Sequence, residues 1–584
     1  MPASYQVIIH DRAYSKWTFI SDEDGVVTEH PKINPISKKL FSKDIIMYDP
    51  TEEDFLSVIH SPVRNGNPIP GILILEDNKT YGRTHTRTHT RTHGKTHDKI
   101  SKKPSSKNRL LYKCIPNDPQ LPAFLIPYEV QLGFSKTYIN KYVLFKFNSW
   151  EENHPQGILV ETLGDVNALE VYYEYQLHCK QVHSSITDFT NKTRERITGM
   201  NDEIYTHIMN DSNFHIENRL FDKHIFTIDP VGSSDLDDAF SFTPGQTTRL
   251  SIYIANVYVW LEKLGLWQFF SDRISTIYLP DKKRTMLPTI LSENFCSLKS
   301  GEQRFAFVMD IEIDASGKMT HTFKNVMIKV KQNYVYESDP LLANTQYKSL
   351  YKFTKTLNAD VKDSHDVVSH WMVHFNTECA KYMAKNGIGI QRKIEKTVFL
   401  ENSLLHFLSD THLTGKYSLL DKWDGDSATA PYIHITSPIR RLVDLLNQIC
   451  IFTSLQLVNT ISHECLHFAR KWMTRIPKIS EQMRNIRKVQ NTCDLLYKCT
   501  NIPDVIQRKY TGVLLDKKQK GLNIDSNVIH SFTYNVYLEE LKLFSKFKTY
   551  TEYNVGEKYL FGLHVFHDEY KQKIRVQLLS EVTK

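Results

Sequence analysis

Four aspartates crowd the segment His224 to Phe242, HIFTIDPVGSSDLDDAFSF: Asp229, Asp235, Asp237 and Asp238, with no Lys or Arg between the first and the last. Carboxylates this close repel one another and are sustainable only when fully hydrated or gathered around a cation. An all-oxygen ligand set selects a hard ion, Mg²⁺ or Mn²⁺, over zinc. The plainer alternative is a polar turn with capping aspartates. Ile225 to Ile228 and Ala239 to Phe242 have strand character, while Pro230 and Gly232 demand an irregular connection between them. The carboxylates would then hang on a loop joining two strands.

Two further segments carry chemistry. In Tyr432 to Asp444, YIHITSPIRRLVD, the run Thr436-Ser-Pro438 predicts a helix start, with Arg440 and Arg441 in its early turns. Guanidinium forks near a helix N-terminus suit bidentate phosphate binding; a surface ion pair is the alternative. In Ser275 to Leu298, Tyr278 stands beside Lys282, Lys283 and Arg284 in a proline-bounded loop. Aromatic and basic residues together suit a single strand of nucleic acid, whose bases stack while its phosphates are paired. Tyr278 is equally at home in a core.

The elements that must hold these residues change texture along the chain. Pro70 to Glu76 and Lys141 to Phe147 alternate as strands, so residues 1–185 read as small β-barrels. The apolar spacing of Val367, Val368, Trp371, Met372, Phe375, Cys379 and Met383 predicts a helix capped near Gly387. Ile461 to Lys498 reads as helical, interrupted at Pro477. From about 506, β texture returns in Gly512 to Leu515, Tyr534 to Leu538, Leu560 to Val565 and Ile574 to Leu579.

Composition bounds the rest. At roughly 100–200 residues per domain, 584 residues make three or four domains. With 41% apolar and 24% charged residues the chain builds real cores. It has no apolar run long enough for a membrane helix and no secretory signal pattern. Its eight scattered cysteines form no CxxC pair, which points to a reducing, intracellular setting. Net charge is +7, but Tyr81 to Lys113 holds ten Lys/Arg against Asp98 alone. Such a run suggests a polyanionic partner, or simply a solvated loop. Within it, RTHTRTHTRTHGKTH spaces His85, His89, His93 and His97 as a metal ladder would need, yet no apolar face exists to fold it.

Together the three chemical segments resemble the RNase II / RNase R (RNB-domain) family of exoribonucleases, with the greater likeness to its eukaryotic exosome-associated branch. The carrying residues are Thr227 to Pro230 with Asp235 to Ala239; Tyr278 to Asp281, Met286 to Pro288, Leu291-Ser292 and Cys296 to Leu298; and His434 to Arg441 with Asp444. Ser149-Trp150, Pro155, Gly157 and Leu163 to Asp165 are similar to the exosome-type cold-shock segment. Motifs in order over roughly 100–584 are far more specific than any one alone. The resemblance implies a multidomain α+β chain: a cold-shock-like OB barrel over 1–110 with a basic insertion at about 82–107, a second over 111–188, a mixed α/β RNB catalytic domain over 189–505 and an OB-type barrel over 506–584.

It further implies a monomeric, cytoplasmic or nuclear enzyme with no membrane partner, hydrolysing single-stranded RNA 3′→5′ to nucleoside 5′-monophosphates. Asp229, Asp235, Asp237 and Asp238 would hold two Mg²⁺ (or Mn²⁺) ions, with Asp237, Asp238 and Arg440 catalytic. Tyr278, Tyr336, Lys282, Lys283, Arg284 and Arg441 would contact the RNA. The chain departs from the family pattern at Asn256, Ser369-His370 and Gln448, which takes carboxylates and a histidine away from the expected end of the channel. Two rivals stand beside this reading. One is a non-catalytic RNA-binding relative. The other is a zinc hydrolase using His463-Glu-Cys-Leu-His467, a literal HExxH.

Overall fold

The computed structural model describes residues 3–21, 27–28, 33–48, 56–84, 109–130, 138–200, 203–222, 224–394, 415–422, 431–524, 527–541, 543–568 and 571–581. His85, His89, His93 and His97 lie outside them. The chain divides into two compact units, one of residues 1–181, 495–510 and 560–580, the other of 182–494, 511–559 and 581–584.

In the first unit, β1 to β5 (Ala3–Ile9, Trp17–Ser21, Val27–Thr28, Ile45–Tyr48, Leu56–His60) form a sheet in the order β3-β2-β1-β4-β5. Strands β6 to β10 (Ile69–Leu73, Leu110–Pro116, Phe124–Tyr128, Lys141–Ser149, Gln156–Asp165) close into a barrel, β10-β8-β7-β6-β9. Sheet and barrel share one core, including Val7, Phe41, Phe124, Phe145 and Trp150. Arg12 joins them, donating to the carbonyls of Leu121 at 2.8 Å and Pro116 at 3.0 Å. The boundary expected at 110 falls inside this barrel. Strand β6 precedes the basic insertion yet pairs with both β7 and β9, so the insertion interrupts the second barrel and does not close the first. Barrel closure requires that fifth strand, and a reading of local texture alone does not see it.

The second unit is built on a seven-stranded sheet. Its strands are β11 (Ile216–Arg219), β12 (Phe226–Asp229), β13 (Asp238–Thr243) and β14 (Thr248–Ala255), then β17 (Gln303–Ile313), β18 (Met319–Lys329) and β19 (Gln332–Val335). Between them, β15 (Ile277–Tyr278) and β16 (Lys283–Arg284) form a separate small hairpin. The sheet order is β11-β18-β17-β14-β13-β12-β19. β14 and β17 are buried along almost their whole length, as their largely apolar sequences require, and the polar Ser251 and Asp310 within them are satisfied by each other and by Arg219. At the β11 edge Arg219 reaches Asp310 of β17 through two hydrogen bonds, 2.9 and 2.7 Å, and Ser251 donates to the same carboxylate at 2.6 Å.

The expected helix over 367–383 is Ser364–Lys385, N-capped by Asp363, with Gly387 beyond its end at φ +62°. The second helical region is two helices, His463–Met473 and Ile476–Asn501. Pro477 therefore lies in the first turn of a helix, where its missing N–H costs nothing, and interrupts none. A short hairpin, β20 (Ile390–Ile394) with β21 (Gly415–Leu419), lies before the helix Leu442–Ser454. Thr436-Ser-Pro438 does not start that helix. Ser437 to Arg440 form a turn and Arg441 takes the N-cap position, because Ser275 and Thr276 bond the Arg440 carbonyl and hold the backbone out of helical geometry. In the C-terminal β region, β22 (Tyr510–Ile524), β23 (Asn527–Leu538) and β24 (Leu543–Thr549) pair antiparallel. β25 (Lys558–Asp568) and β26 (Lys571–Glu581) follow. All eight cysteines are free thiols, and among the described residues no helix is long and apolar enough to cross a membrane.

Candidate active site

A cleft of about 750 Å³ in the second unit is lined by Asp229, Asp235, Asp237 and Asp238 on one side and by Arg440 and Arg441 on another. Strand pairing creates the cluster. Asp229 ends β12 and Asp238 begins β13, and these strands are neighbours through Phe226 and Phe240. The loop between them turns at Gly232, whose φ of +77° suits a residue without Cβ. Ser297 fastens the loop: its hydroxyl accepts from the Leu236 amide at 3.1 Å and donates to the Ser234 carbonyl at 2.9 Å. The Cys296-Ser-Leu298 segment thus serves the site by positioning the aspartates.

Each carboxylate has its own surroundings. Asp235 accepts from Lys283 Nζ at 2.9 Å and from the Tyr278 hydroxyl at 3.1 Å. Asp237 accepts from the Ile439 amide at 3.0 Å and from Arg440 Nε at 2.9 Å, which joins the aspartate loop to the arginine loop. Asp229 Oδ2 and Asp238 Oδ2 are buried with no hydrogen-bond donor. Burial pushes Asp229 up to about 6, against a Thr227 hydrogen bond and the charge of Arg440. Burial likewise carries Asp237 to about 7, against Arg440 and the Ile439 amide. Asp238 is driven well above the ordinary range by burial and by the charges of Asp229 and Asp237. Orphaned, mutually repelling oxygens facing a polar cleft are the donor set a hard divalent cation would satisfy.

Arg440 is aimed as well as paired. Nε meets Asp237 while Nη2 donates to Ser437 Oγ at 3.2 Å, and the side chain keeps 44% exposure. Arg441 pairs with Asp444 at 2.8 Å. The buried helix Leu442–Ser454 anchors this segment with polar side chains. Asp444 accepts from the Ser437 amide at 2.8 Å, and Asn447 donates to the His434 carbonyl at 2.9 Å. Tyr336 lies flat on His365, with centroids 3.6 Å apart and planes within 10°.

Not every expected contact residue reaches the cleft. Lys283 does, held by Asp235 and by Glu293 at 2.8 Å. Arg284 is buried and engaged bidentately with Asp281, at 2.6 and 2.9 Å, so its charge stiffens the loop and is not presented to a ligand. Lys282 is exposed but lies off the cleft lining. Asn256 caps the helix Val257–Lys263 by accepting from the Val259 amide, and Gln448 donates to the Ala255 carbonyl; both are buried supports away from the cleft. Of the departing positions, Ser369 does line it. His463, Glu464 and His467 are exposed, and the buried face of their helix is Cys465, Phe468 and Trp472. No third ligand assembles with them among the described residues.

Sequence reading missed His365 and Asn376, which line the cleft from the helix Ser364–Lys385. Asn376 accepts from the Ile435 amide at 3.0 Å and so steadies the arginine-bearing segment. The available signal for Asn376 was a polar residue within an otherwise apolar helical stripe; His365, exposed in the first turn of the helix, gave none.

Known proteins share parts of this sequence and this fold. The family model for the RNB domain matches residues 217–352, and that for the Dis3-like cold-shock domain 2 (CSD2) matches residues 111–177. Ribonuclease R of Ureaplasma parvum is 30% identical over 161 residues, 26% of this chain and 22% of that protein. DIS3-like exonuclease 2 of Xenopus tropicalis is 28% identical over 223 residues, 37% of this chain and 26% of that protein. The matched segments thus span about a quarter of those relatives' length. Mycoplasma genitalium RNase R, solved with ribose-methylated single-stranded RNA, superposes with a TM-score of 0.62 at 15% identity, covering 99% of this chain and 100% of that one. Yeast Ssd1, a pseudonuclease, shares the fold at TM-score 0.51 and 12% identity, covering 96% of this chain and 80% of its own.

Proposed function

We propose that this chain, a member of the RNB-domain ribonuclease family, is a metal-dependent exoribonuclease that shortens single-stranded RNA from its 3′ end, releasing nucleoside 5′-monophosphates. One observation carries the reading: the Asp229 and Asp238 oxygens buried without donors beside an Arg440 fork aimed by Asp237 and Ser437. Asp229, Asp235, Asp237 and Asp238 would hold Mg²⁺ or Mn²⁺, which when bound supplies Lewis-acid stabilisation and an activated water. Arg440 contributes a rigid, permanently charged donor pair to the scissile phosphate. The Tyr336–His365 pair offers an aromatic face for a terminal base, and Tyr278 and Lys283 orient Asp235. The 2′-hydroxyl is the feature that distinguishes RNA from DNA here. The role that follows is intracellular RNA turnover.

One observation favours a second reading, an RNA-binding relative without activity. Both oxygens of Asp237 are already engaged by the Ile439 amide and Arg440. A single assay separates the two: 5′-labelled RNA, its 3′-phosphorylated twin and the matching DNA, each with Mg²⁺ or EDTA. The enzyme gives a 3′-shortening ladder from RNA with Mg²⁺ only, slowed by the 3′-phosphate. Internal cuts first, equal rates on DNA, or no Mg²⁺-dependent cutting would reject it.

A further inference from the structure

Behind the arginine loop lies a smaller cavity of about 160 Å³ whose wall carries Arg392, Arg441, Arg484 and Arg487 together with His434 and Tyr417. Arg392 comes from the β20–β21 hairpin, Arg441 from the N-cap of the helix Leu442–Ser454, and Arg484 and Arg487 from consecutive turns of the helix Ile476–Asn501. Three separate elements thus converge guanidinium groups on one small space. Among the described residues the one carboxylate paired with any of the four is Asp444, on Arg441. Arg441 Nε is buried with no acceptor. Like charges gathered around one cavity repel, and with Arg484 and Arg487 exposed and Arg392 and Arg441 half-buried an anion from solvent can reach and neutralise them.

The surroundings are built for it. At position 415 a Cβ would fall 2.2 Å from Arg392 Nε, so glycine is what lets that guanidinium lie against the hairpin backbone. The Tyr417 amide donates to Ser480 Oγ at 2.9 Å, fixing the hairpin to the helix that bears Arg484 and Arg487. His434 contacts Arg392 Nη1 at 3.2 Å through Nε2 and the Tyr417 hydroxyl at 2.8 Å through Nδ1. Arginine only donates, so Nε2 accepts and the ring proton sits on Nδ1, donating to the Tyr417 oxygen. Tyr417 then has its own proton left to donate into the cavity. Burial and the neighbouring Arg441, Arg392 and Arg487 hold His434 well below its ordinary pKa, which keeps this tautomer neutral.

We propose that this pocket is a second oxyanion site, holding a phosphate group other than the scissile one. At about 160 Å³ it is smaller than the roughly 300–1,000 Å³ of a small-molecule cleft, which fits a tetrahedral oxyanion with a few waters and excludes a whole nucleotide. His434 and Arg441 line both cavities, so an anion here sits one side chain away from the proposed catalytic cleft. The phosphate comes either from the RNA backbone, which rests on the function proposed above, or from free inorganic phosphate.

The test is calorimetric titration of the full chain in EDTA, where hydrolysis is off, so a failure of catalysis and a failure of this site are read separately. The probes are inorganic phosphate and a single-stranded RNA. The variants are Arg484→Ala/Arg487→Ala and the charge-keeping Arg484→Lys/Arg487→Lys, whose thermal unfolding checks that the fold is retained. Wild type binds inorganic phosphate saturably, the alanine variant at least ~tenfold more weakly, and the lysine variant falls between them because it keeps charge but loses the fork. RNA affinity falling in parallel, with phosphate competing against RNA, identifies a backbone phosphate. Unchanged RNA affinity without competition identifies the free anion. Absence of saturable phosphate binding in wild type, or wild-type phosphate affinity in the alanine variant, overturns the site.

Discussion

At the scale of the residue, the aspartates divide the work of the cleft. Asp237 spends its oxygens on the Ile439 amide and Arg440, whereas Asp238 buries an oxygen with no donor. Asp238→Asn keeps the shape and removes a charge that a cation needs. It should lower the Mg²⁺-dependent rate at saturating RNA by at least ~hundredfold, about 3 kcal/mol of barrier. RNA affinity, spread over stacking and phosphate contacts, should stay within about threefold, as a filter-binding titration would show. Wild-type turnover in this variant removes Asp238 from the metal set. In the function proposed above, Tyr336 has the complementary role. Tyr336→Ala should weaken RNA binding by about 1–3 kcal/mol while Tyr336→Phe restores it, because the stacked face and not the hydroxyl makes the contact.

At the scale of the element, two contacts tie strands of the seven-stranded sheet to their neighbours. Asp310 of β17 is buried against Arg219 of β11, and Asp310→Asn leaves that buried guanidinium only the exposed Glu217 as counter-charge among the described residues. Equilibrium denaturation should show a loss of about 3–5 kcal/mol; a change under about 1 kcal/mol would mean the pair is not a structural tie. The other contact joins β18 to the helix Ser364–Lys385, where His321 Nε2 and His374 Nε2 lie 3.0 Å apart, with His370, Glu378 and Lys381 also facing the pair. Burial, then the neighbouring His321, holds His374 down at about 4 from 6.5. The unfolded chain takes up this proton near pH 6.5 and the folded chain only near pH 4. The unfolded state thus binds more protons across that window, and stability falls as pH drops from about 6.5 toward 4. His374→Gln should flatten that part of the profile in thermal melts from about pH 7 to 4; an unchanged slope would assign it to other groups.

At the scale of the whole molecule, charge is divided unevenly. The basic segment between β6 and β7 carries positive charge out of proportion to its length, and no carboxylate cluster accompanies it. Its contribution should be affinity alone. Deleting residues 85–107 should leave the rate at saturating RNA unchanged. The salt dependence of RNA binding should become shallower, by ~0.7 in log–log slope for each phosphate the segment neutralises. An identical slope and affinity would make the segment a bystander.

The residues of the candidate site were legible in the sequence because charge and spacing are local properties. Four aspartates without a cation between them, two adjacent arginines and a Tyr-Lys loop stand out before any packing is known. The helix Ser364–Lys385 was legible because periodic burial writes itself into periodic sequence, and the strand Lys141–Ser149 because its short apolar run, Tyr142 to Phe145, is buried as a block. Long-range contacts decided the rest. Whether Arg284 faces a ligand or Asp281, whether Asn256 stands in a channel or caps a helix, and whether β6 belongs to the second barrel are all set by partners distant in sequence or by burial. The four-arginine cavity is the extreme case. Its residues lie at 392, 441, 484 and 487 and form no motif, because only tertiary packing brings a hairpin, a helix cap and a helix face around one point.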